Sequence, residues 1–429
     1  MRFNLSFAVW VMVVTPAFGQ TSGLPDALVQ INRAPEVIIV GGADADIPGF
    51  TSRAIQLAID ALKTRGGGTV RLSKGTFILY GPVRLASNVS LEGAGPDTVL
   101  KKCDGFKTSF TVDADYGMQK VRVKDPSGFR VGSGIQLYDR QHNQGWDVTT
   151  ATVTAIQGDV LYLDNRTVQD YLSSEDGVIS NAFSPIEAVD VENVRIANLT
   201  VDGNKATSDY INGCRGGGVY LHKSRNCTVD GVHVTNFNGD SFSWQITEDI
   251  TVRHCEASNG GGLGFHPGTG SVRSIVEENI SHHNKEDGVF LCWRVQRGVF
   301  RKNVLYANGR YGISIGHQDT DNLFEQNHVF ENGEHGVCFR QETEANGGHR
   351  NTFRDNVIEN NGTGGKPAYG FFVGGHTNDI VIEENTIRST GRGNQKAAVW
   401  TGAHAQRVTV RKNQVSGHAE TAGELPPAK

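Results

Sequence analysis

The feature that most restricts the fold of this sequence is an asparagine that keeps returning behind a charged or polar pair. Asn279, Asn303, Asn327, Asn356, Asn385 and Asn413 follow Glu-Glu, Arg-Lys, Glu-Gln, Arg-Asp, Glu-Glu and Arg-Lys, at steps of 24, 24, 29, 29 and 28 residues. A second marker, a turn that ends in Gly288, Gly312 or Gly336, keeps the same step of 24. Two markers in one register define one structural unit per repeat. Within a unit apolar residues alternate, as at Ile313 and Ile315 or Val337 and Phe339. That is the period of a strand with every second side chain turned inward. The repeat is too short for a strand, a crossover helix and a second strand, and no helical run separates the strands. Each repeat therefore predicts one coil of a parallel β-helix. The asparagines then stack at the inter-coil spacing of about 4.8 Å, where side-chain amides bond to each other and to turn backbone.

The ends of the chain carry other signals. Residues 1–19 have one arginine, an apolar stretch from Leu5 to Val14, Pro16 and a small-residue exit at Ala17-Phe18-Gly19. They read as a signal peptide cleaved after Gly19, so the mature chain is expected to be secreted or periplasmic. No later segment approaches the roughly 20 apolar residues of a membrane span. A net charge of −5 gives no basic footprint for nucleic acid. Six cysteines lie singly, without a CxxC pair, and read as buried thiols, with one disulfide between neighbouring coils left open.

An open solenoid end has to be covered. Ile55, Leu57, Ile59 and Leu62 have helical spacing and stop at Gly66-Gly67-Gly68, which predicts a capping helix. The fold class expected is all-β, a right-handed parallel β-helix with an N-terminal capping helix and a β-rich insertion. The cap and first coils span 20–116, the insertion 117–185, the repeats 186–418 and a polar tail 419–429. Tyr138, His142 and Trp146 of the insertion either wall one end of a cleft or decorate the surface, and a monomer is expected.

The section from Gly66-Gly67-Gly68-Thr69-Val70 through Lys74-Gly75-Thr76-Phe77 to the strand between Leu91 and Leu100 resembles the N-terminal part of the pectate-lyase superfamily. The likeness is specific over Thr51 to Lys102 and looser over the repeats from Val189 to Val415. It implies the β-helix fold and leaves the reaction open, because lyases, hydrolases, epimerases and phage adhesins share that fold.

Aligning the strands after Gly218, Asp240, Gly262, Gly288, Gly312 and Gly336 turns Val219, Leu263, Val289, Ile313 and Val337 inward, with Leu221, Phe265, Leu291, Ile315 and Phe339. Outward or at strand ends it leaves His222, Trp244, Gln245, His266, Trp293, Arg294, His317, Gln318, Asp319, Arg340, Gln341 and Glu342. A single surface histidine on a β-helix is usually decoration. Three on one face, with two tryptophans and two arginines, suit a polysaccharide: aromatic faces cover the C–H side of a pyranose, while Arg, Gln and His take hydroxyls and carboxylates.

Two reaction classes compete on that face. In β-elimination or C5 epimerisation of a uronic acid, Arg340 or Arg294 neutralises the carboxylate, His266 or His317 is the base, and the other histidine or Tyr220 is the acid. The remaining residues, His222, Trp244, Gln245, Trp293, Gln318, Asp319, Gln341 and Glu342, bind substrate. Hydrolysis instead needs two carboxyl groups, for which Asp319 and Glu342 are the candidates. With Asp321 the same oxygens could hold Ca²⁺, or they form a solvated or Arg-paired turn. The strand Phe265-His266-Pro267-Gly268 resembles the Asp-Pro-His strand of mannuronan C5-epimerases but lacks the aspartate before the proline and the histidine after it, which speaks against epimerisation. A non-catalytic carbohydrate-binding solenoid is the third class. His376 and His404 could extend the subsites, and His282-His283 falls on the opposite face. The function expected is a lyase acting on an extracellular, uronic-acid-containing polysaccharide.

Overall fold

The computed structural model describes residues 36–418; the segment 1–19, read above as a signal peptide, and the tail 419–429 lie outside them. Strands of three to five residues wind into successive coils, and equivalent strands pair in parallel from one coil to the next. The polypeptide is a parallel β-helix. At its N-terminal end the helix Ser52–Thr64 buries Ala54, Ile55, Ala58, Ile59 and Leu62. Thr51 Oγ1 caps it by accepting from Ala54 N at 3.3 Å. Leu57, expected on the buried stripe, is instead 52 % exposed. Alanines complete the stripe, because the helix packs closely on the first coil.

The repeating asparagines form the expected ladder. Each Oδ1 accepts the backbone N–H and the Nδ2 of the asparagine one coil earlier, as from Asn279 to Asn303 at 3.1 and 3.0 Å and from Asn303 to Asn327 at 3.0 and 2.9 Å. Nδ2 also closes onto backbone, Asn303 onto Val276 O at 2.9 Å. The residue before each ladder asparagine, from Glu278 and Lys302 to Lys412, has φ between 54° and 58°. Left-handed backbone at non-glycine residues costs of the order of 1 kcal/mol each. The ladder bonds offset that cost and turn the chain sharply between two faces of the coil. A second ladder runs Asn284, Asn308, Asn332, Asn361 and ends on Gln395.

A ten-stranded parallel sheet from Val83–Arg84 to Gln395–Thr401 carries the functional face. Register fixes its two sides. Val219, Phe242, Phe265, Val289, Ile313, Val337, Phe371 and Val399 stack inward. Tyr220, Ser243, His266, Phe290, Ser314, Cys338, Phe372 and Trp400 form the outward column. Leu263 is not in the inward column. Phe265 takes that place, and Leu263 lies in the turn before it.

A separate six-stranded antiparallel sheet, from Lys107–Ser109 to Val178–Ser180, forms the insertion and begins upstream of Gly117. It has its own core around Phe110, Ile135, Leu137, Leu161 and Ile179. All six cysteines are free thiols; Cys227, Cys255 and Cys338 are buried, and Cys103, Cys214 and Cys292 are half-buried. Among the described residues no helix is long and apolar enough to cross a membrane.

Candidate active site

A cavity of about 890 Å³ lies on the outward side of the ten-stranded sheet. The turn Gly145–Asp147 of the insertion, the loop through Tyr210, Asn212 and Cys214, and the outward side of the ten-stranded sheet enclose it. His266 sits on its floor. Its Nδ1 lies 2.7 Å from Asp240 Oδ2, and both side chains are buried, His266 being 4 % exposed. Asp240 Oδ1 accepts from Leu263 N at 2.9 Å, so both carboxylate oxygens are engaged. Burial opposes charge on the imidazole, but the hydrogen bond and charge of Asp240, with Cys292 beside the ring, outweigh it and raise the pKa to about 10. The Asp240 carboxylate thus favours the protonated form of the imidazole, the form that can donate a proton.

Around this dyad the cavity is lined by the charged Lys285, Glu286 and Arg310 and by the aromatic Trp146, Phe290 and Trp293. Burial and the charge of Asp240 raise the pKa of Glu286, against Arg310, Lys285 and His266, which lower it. Phe290 meets His266 edge-on with ring centroids 5.4 Å apart.

The face contains fewer of the expected residues than the sequence suggests. Trp244, expected outward, is 0 % exposed in the solenoid core, where Nε1 donates to Ser274 Oγ at 3.0 Å. The coil beginning near Asp240 is in register one residue further on, with Leu221 opposite Trp244, and a one-residue slip exchanges the two faces of a strand. Gln245 and Tyr220 do face outward but lie beneath the loop at 212–216. Gln245 Nε2 donates to Gly213 O at 3.3 Å, and the Tyr220 hydroxyl donates to Cys214 O at 2.7 Å. Burial pushes the Tyr220 phenol far up, which removes it as a ready proton donor. His222 is half-buried below Trp146, and burial depresses its pKa to about 4.

Asp319 is also corrected. It is 0 % exposed, its Oδ1 accepts from Val295 N at 3.0 Å and its Oδ2 from Gly316 N at 2.9 Å and Arg340 Nη2 at 3.3 Å. It clips one coil to the next as a ladder asparagine does and has no oxygen free for a substrate. Arg340 lies along the surface, donating to Ser314 Oγ at 2.9 Å and Leu291 O at 2.8 Å, with its guanidinium 4.3 Å from the Phe290 ring. It braces Phe290 behind the dyad and has few donors left for a carboxylate.

Trp293 remains on the open face, 49 % exposed and stacked on His317 at 4.6 Å. His317 Nδ1 is 3.6 Å from Glu342 Oε2. Gln318 donates to Asn346 Oδ1 at 2.9 Å and Gln341 Oε1 accepts from Gly375 N at 3.1 Å, both tying down turns. Arg294 is half-buried outside the cavity lining. Asp321 is held by Arg350 at 2.7 and 2.8 Å. Among the described residues no three His, Cys, Asp or Glu side chains are gathered as a metal site.

Asp240, Lys285, Glu286 and Arg310 do not follow from the strand pattern, because they occupy turns. A signal was nevertheless present: Asp240 stands in an Asn-Gly-Asp-Ser turn where other repeats end their turn on glycine.

The sequence matches the family model for a right handed beta helix region over 133–266 and 207–346. It also matches the model described as rhamnogalacturonase A/epimerase, pectate lyase-like, over 41–181. The protein is a right-handed parallel β-helix with pectate-lyase-like likeness at its N-terminal end. Among solved structures it is similar to the A-module of the Azotobacter vinelandii mannuronan C-5 epimerase AlgE4. That match has 18 % identity and a TM-score of 0.56, and covers 88 % of this chain and 94 % of that one. The AlgE6 A-module of the same organism gives 17 % identity and 0.52, covering 87 % and 95 %. The Dettilon tailspike protein gives 14 % and 0.54, covering 84 % of this chain and 58 % of the tailspike. No curated protein matches the sequence.

Proposed function

We propose that the protein acts on a linear uronic-acid polysaccharide by β-elimination at the Asp240–His266 dyad. Arg310 and Lys285 neutralise the uronate carboxylate as it takes on enolate character, and Glu286 removes the C5 proton. The imidazolium of His266 protonates the glycosidic oxygen at C4 as that bond breaks. The electron pair from C5–H becomes the C4–C5 double bond, so charge and protons balance without a co-reactant.

The carrying observation is that the cavity places a buried imidazole, held 2.7 Å from an aspartate, in one lining with Lys285, Arg310 and Glu286. Three carboxylates line it: Asp240 has both oxygens engaged, Asp147 accepts from Gln169 through one oxygen at 3.0 Å, and Glu286 lies 3.9 Å from Arg310. The β-helix neighbours named as C-5 epimerases of mannuronan support a uronate as the sugar.

The test is to incubate the full chain with a panel of (1→4)-linked polyuronates, following absorbance of unsaturated uronate beside a reducing-end assay. Absorbance that rises with wild type and is lost in His266→Ala and Glu286→Gln is the expected result. New reducing ends without absorbance would move the activity to hydrolysis. A change in uronate configuration with neither would make it an epimerase.

A further inference from the structure

The larger cavity stops abruptly on the side facing the N-terminal coils, and what stops it is built from two separate excursions of the chain. The loop at 212–216 lies on the outward column over Tyr220 and Ser243. Ser243 Oγ donates to Gly213 O at 2.6 Å, and Gln245 and Tyr220 anchor the same loop through Gly213 O and Cys214 O. On top of it sits Trp146 of the insertion, whose carbonyl accepts from Arg215 Nε at 3.2 Å and Nη2 at 2.5 Å. The guanidinium lies 5.0 Å from the Trp146 ring, and that ring lies 5.7 Å from His222. Beyond this wall is a second cavity of about 670 Å³, lined by Arg84, Glu187, Arg215, Tyr220 and His222. The two cavities share no lining residue.

From this arrangement, and resting on the proposed function, we infer that the protein is specific for a chain end. A polymer lying along the sheet cannot continue past Trp146 and Arg215, so its terminal sugar abuts them. The dyad lies immediately on the open side of the wall: His266 is the first member of the outward column to line the larger cavity, after Tyr220 and Ser243 have been covered. The bond that reacts is therefore close to a terminus, and each turnover releases a short fragment of uniform size. Trp146 and Arg215 set this specificity and touch no reacting atom. On the other side Phe290 and Trp293, the latter 49 % exposed and stacked on His317, stand beside the cavity, and the rest of the polymer extends past them.

Two measurements on the full chain test this. The first sizes the earliest products from a polyuronate that the protein degrades. Wild type is expected to release one short product while the bulk polymer keeps its length, and Trp146→Ala combined with Arg215→Ala is expected to release a ladder of mixed lengths. A ladder from wild type overturns the inference and leaves the reaction standing. The second does not need turnover: tryptophan fluorescence is titrated with oligouronates whose two ends are free, or are both coupled to a bulky group. Blocked oligomers should bind at least about tenfold more weakly, a difference of roughly 1.4 kcal/mol. Equal affinity for blocked and free oligomers overturns end recognition. Failure of every polyuronate to react or bind overturns the proposed function, and this inference with it.

Discussion

Asp240 Oδ2 and His266 Nδ1 approach to 2.7 Å across neighbouring coils, with both side chains closed off from solvent. The contact exists because an aspartate in a turn stands beside the first outward histidine of the next coil. It orients the imidazole, with Nδ1 donating to the carboxylate and Nε2 lying 3.5 Å from Gln245 Nε2.

That pairing makes stability depend on pH. The folded pKa of His266, about 10, lies above the unfolded value of about 6.5. Its contribution is thus complete below about pH 6.5 and is lost as pH rises through about 10. Thermal melting from pH 6 to 10.5 should show a decline in wild type that is absent in Asp240→Asn. The same variant should lose roughly a hundredfold or more in turnover. Parallel melting curves for the two proteins would contradict the paired, charged dyad.

Asp287 predicts a second decline with rising pH, in a lower window. Burial raises its pKa to about 7, although Arg310 lowers it, and its Oδ2 has no hydrogen-bond partner. An unfolded aspartate ionises near 3.9, so stability falls as pH climbs from about 4 through about 7. Asp287→Asn should be more stable than wild type at pH 8 and show no such gain at pH 4, by urea unfolding. A uniform loss at both pH values would show that the carboxyl is needed as built.

The ladder gives a prediction independent of function. In Asn303→Ala the amides of Asn279 lose an acceptor, and Val276 O and Asn327 Oδ1 lose a donor. Each buried group left unpaired costs about 1–3 kcal/mol, so urea unfolding should report a loss of at least about 2 kcal/mol. A loss below about 0.5 kcal/mol, ordinary for a surface substitution, would refute the ladder's role.

Two tryptophans separate core from face. Trp244→Ala should cost about 3–5 kcal/mol, as for any large buried side chain. Trp293→Ala, at an exposed stacking position on His317, should leave the unfolding midpoint nearly unchanged and weaken polyuronate binding. A binding defect in Trp244→Ala that appears without a stability defect would put that residue back on the surface.

The solenoid was legible because one asparagine and one alternation recur in every coil, and each has a single geometric meaning. The face was legible only where the step between coils is constant. From Val219 to Phe242 the register advances 23 residues, whereas aligning Gly218 with Asp240 assumes 22, and that one residue sends Trp244 into the core. Asp319 misleads for another reason: a carboxylate that accepts from Val295 N and Gly316 N does a ladder asparagine's work, and its sequence context does not distinguish that from a solvated turn. Periodicity is silent about excursions, so the wall at Trp146 and Arg215 and the turn residues Lys285, Glu286 and Arg310 emerge only when the loops are seen folded back on the sheet.

The central claim is that the C5 proton of a bound uronate is removed at the Asp240–His266 cavity. Proton NMR of a polyuronate incubated with the full chain in D₂O reads that proton directly. The account predicts loss of the H5 signal with appearance of a vinylic H4 signal in wild type, and neither change in the Glu286→Gln, His266→Ala double variant. New chain ends accompanied by an intact H5 signal would contradict it.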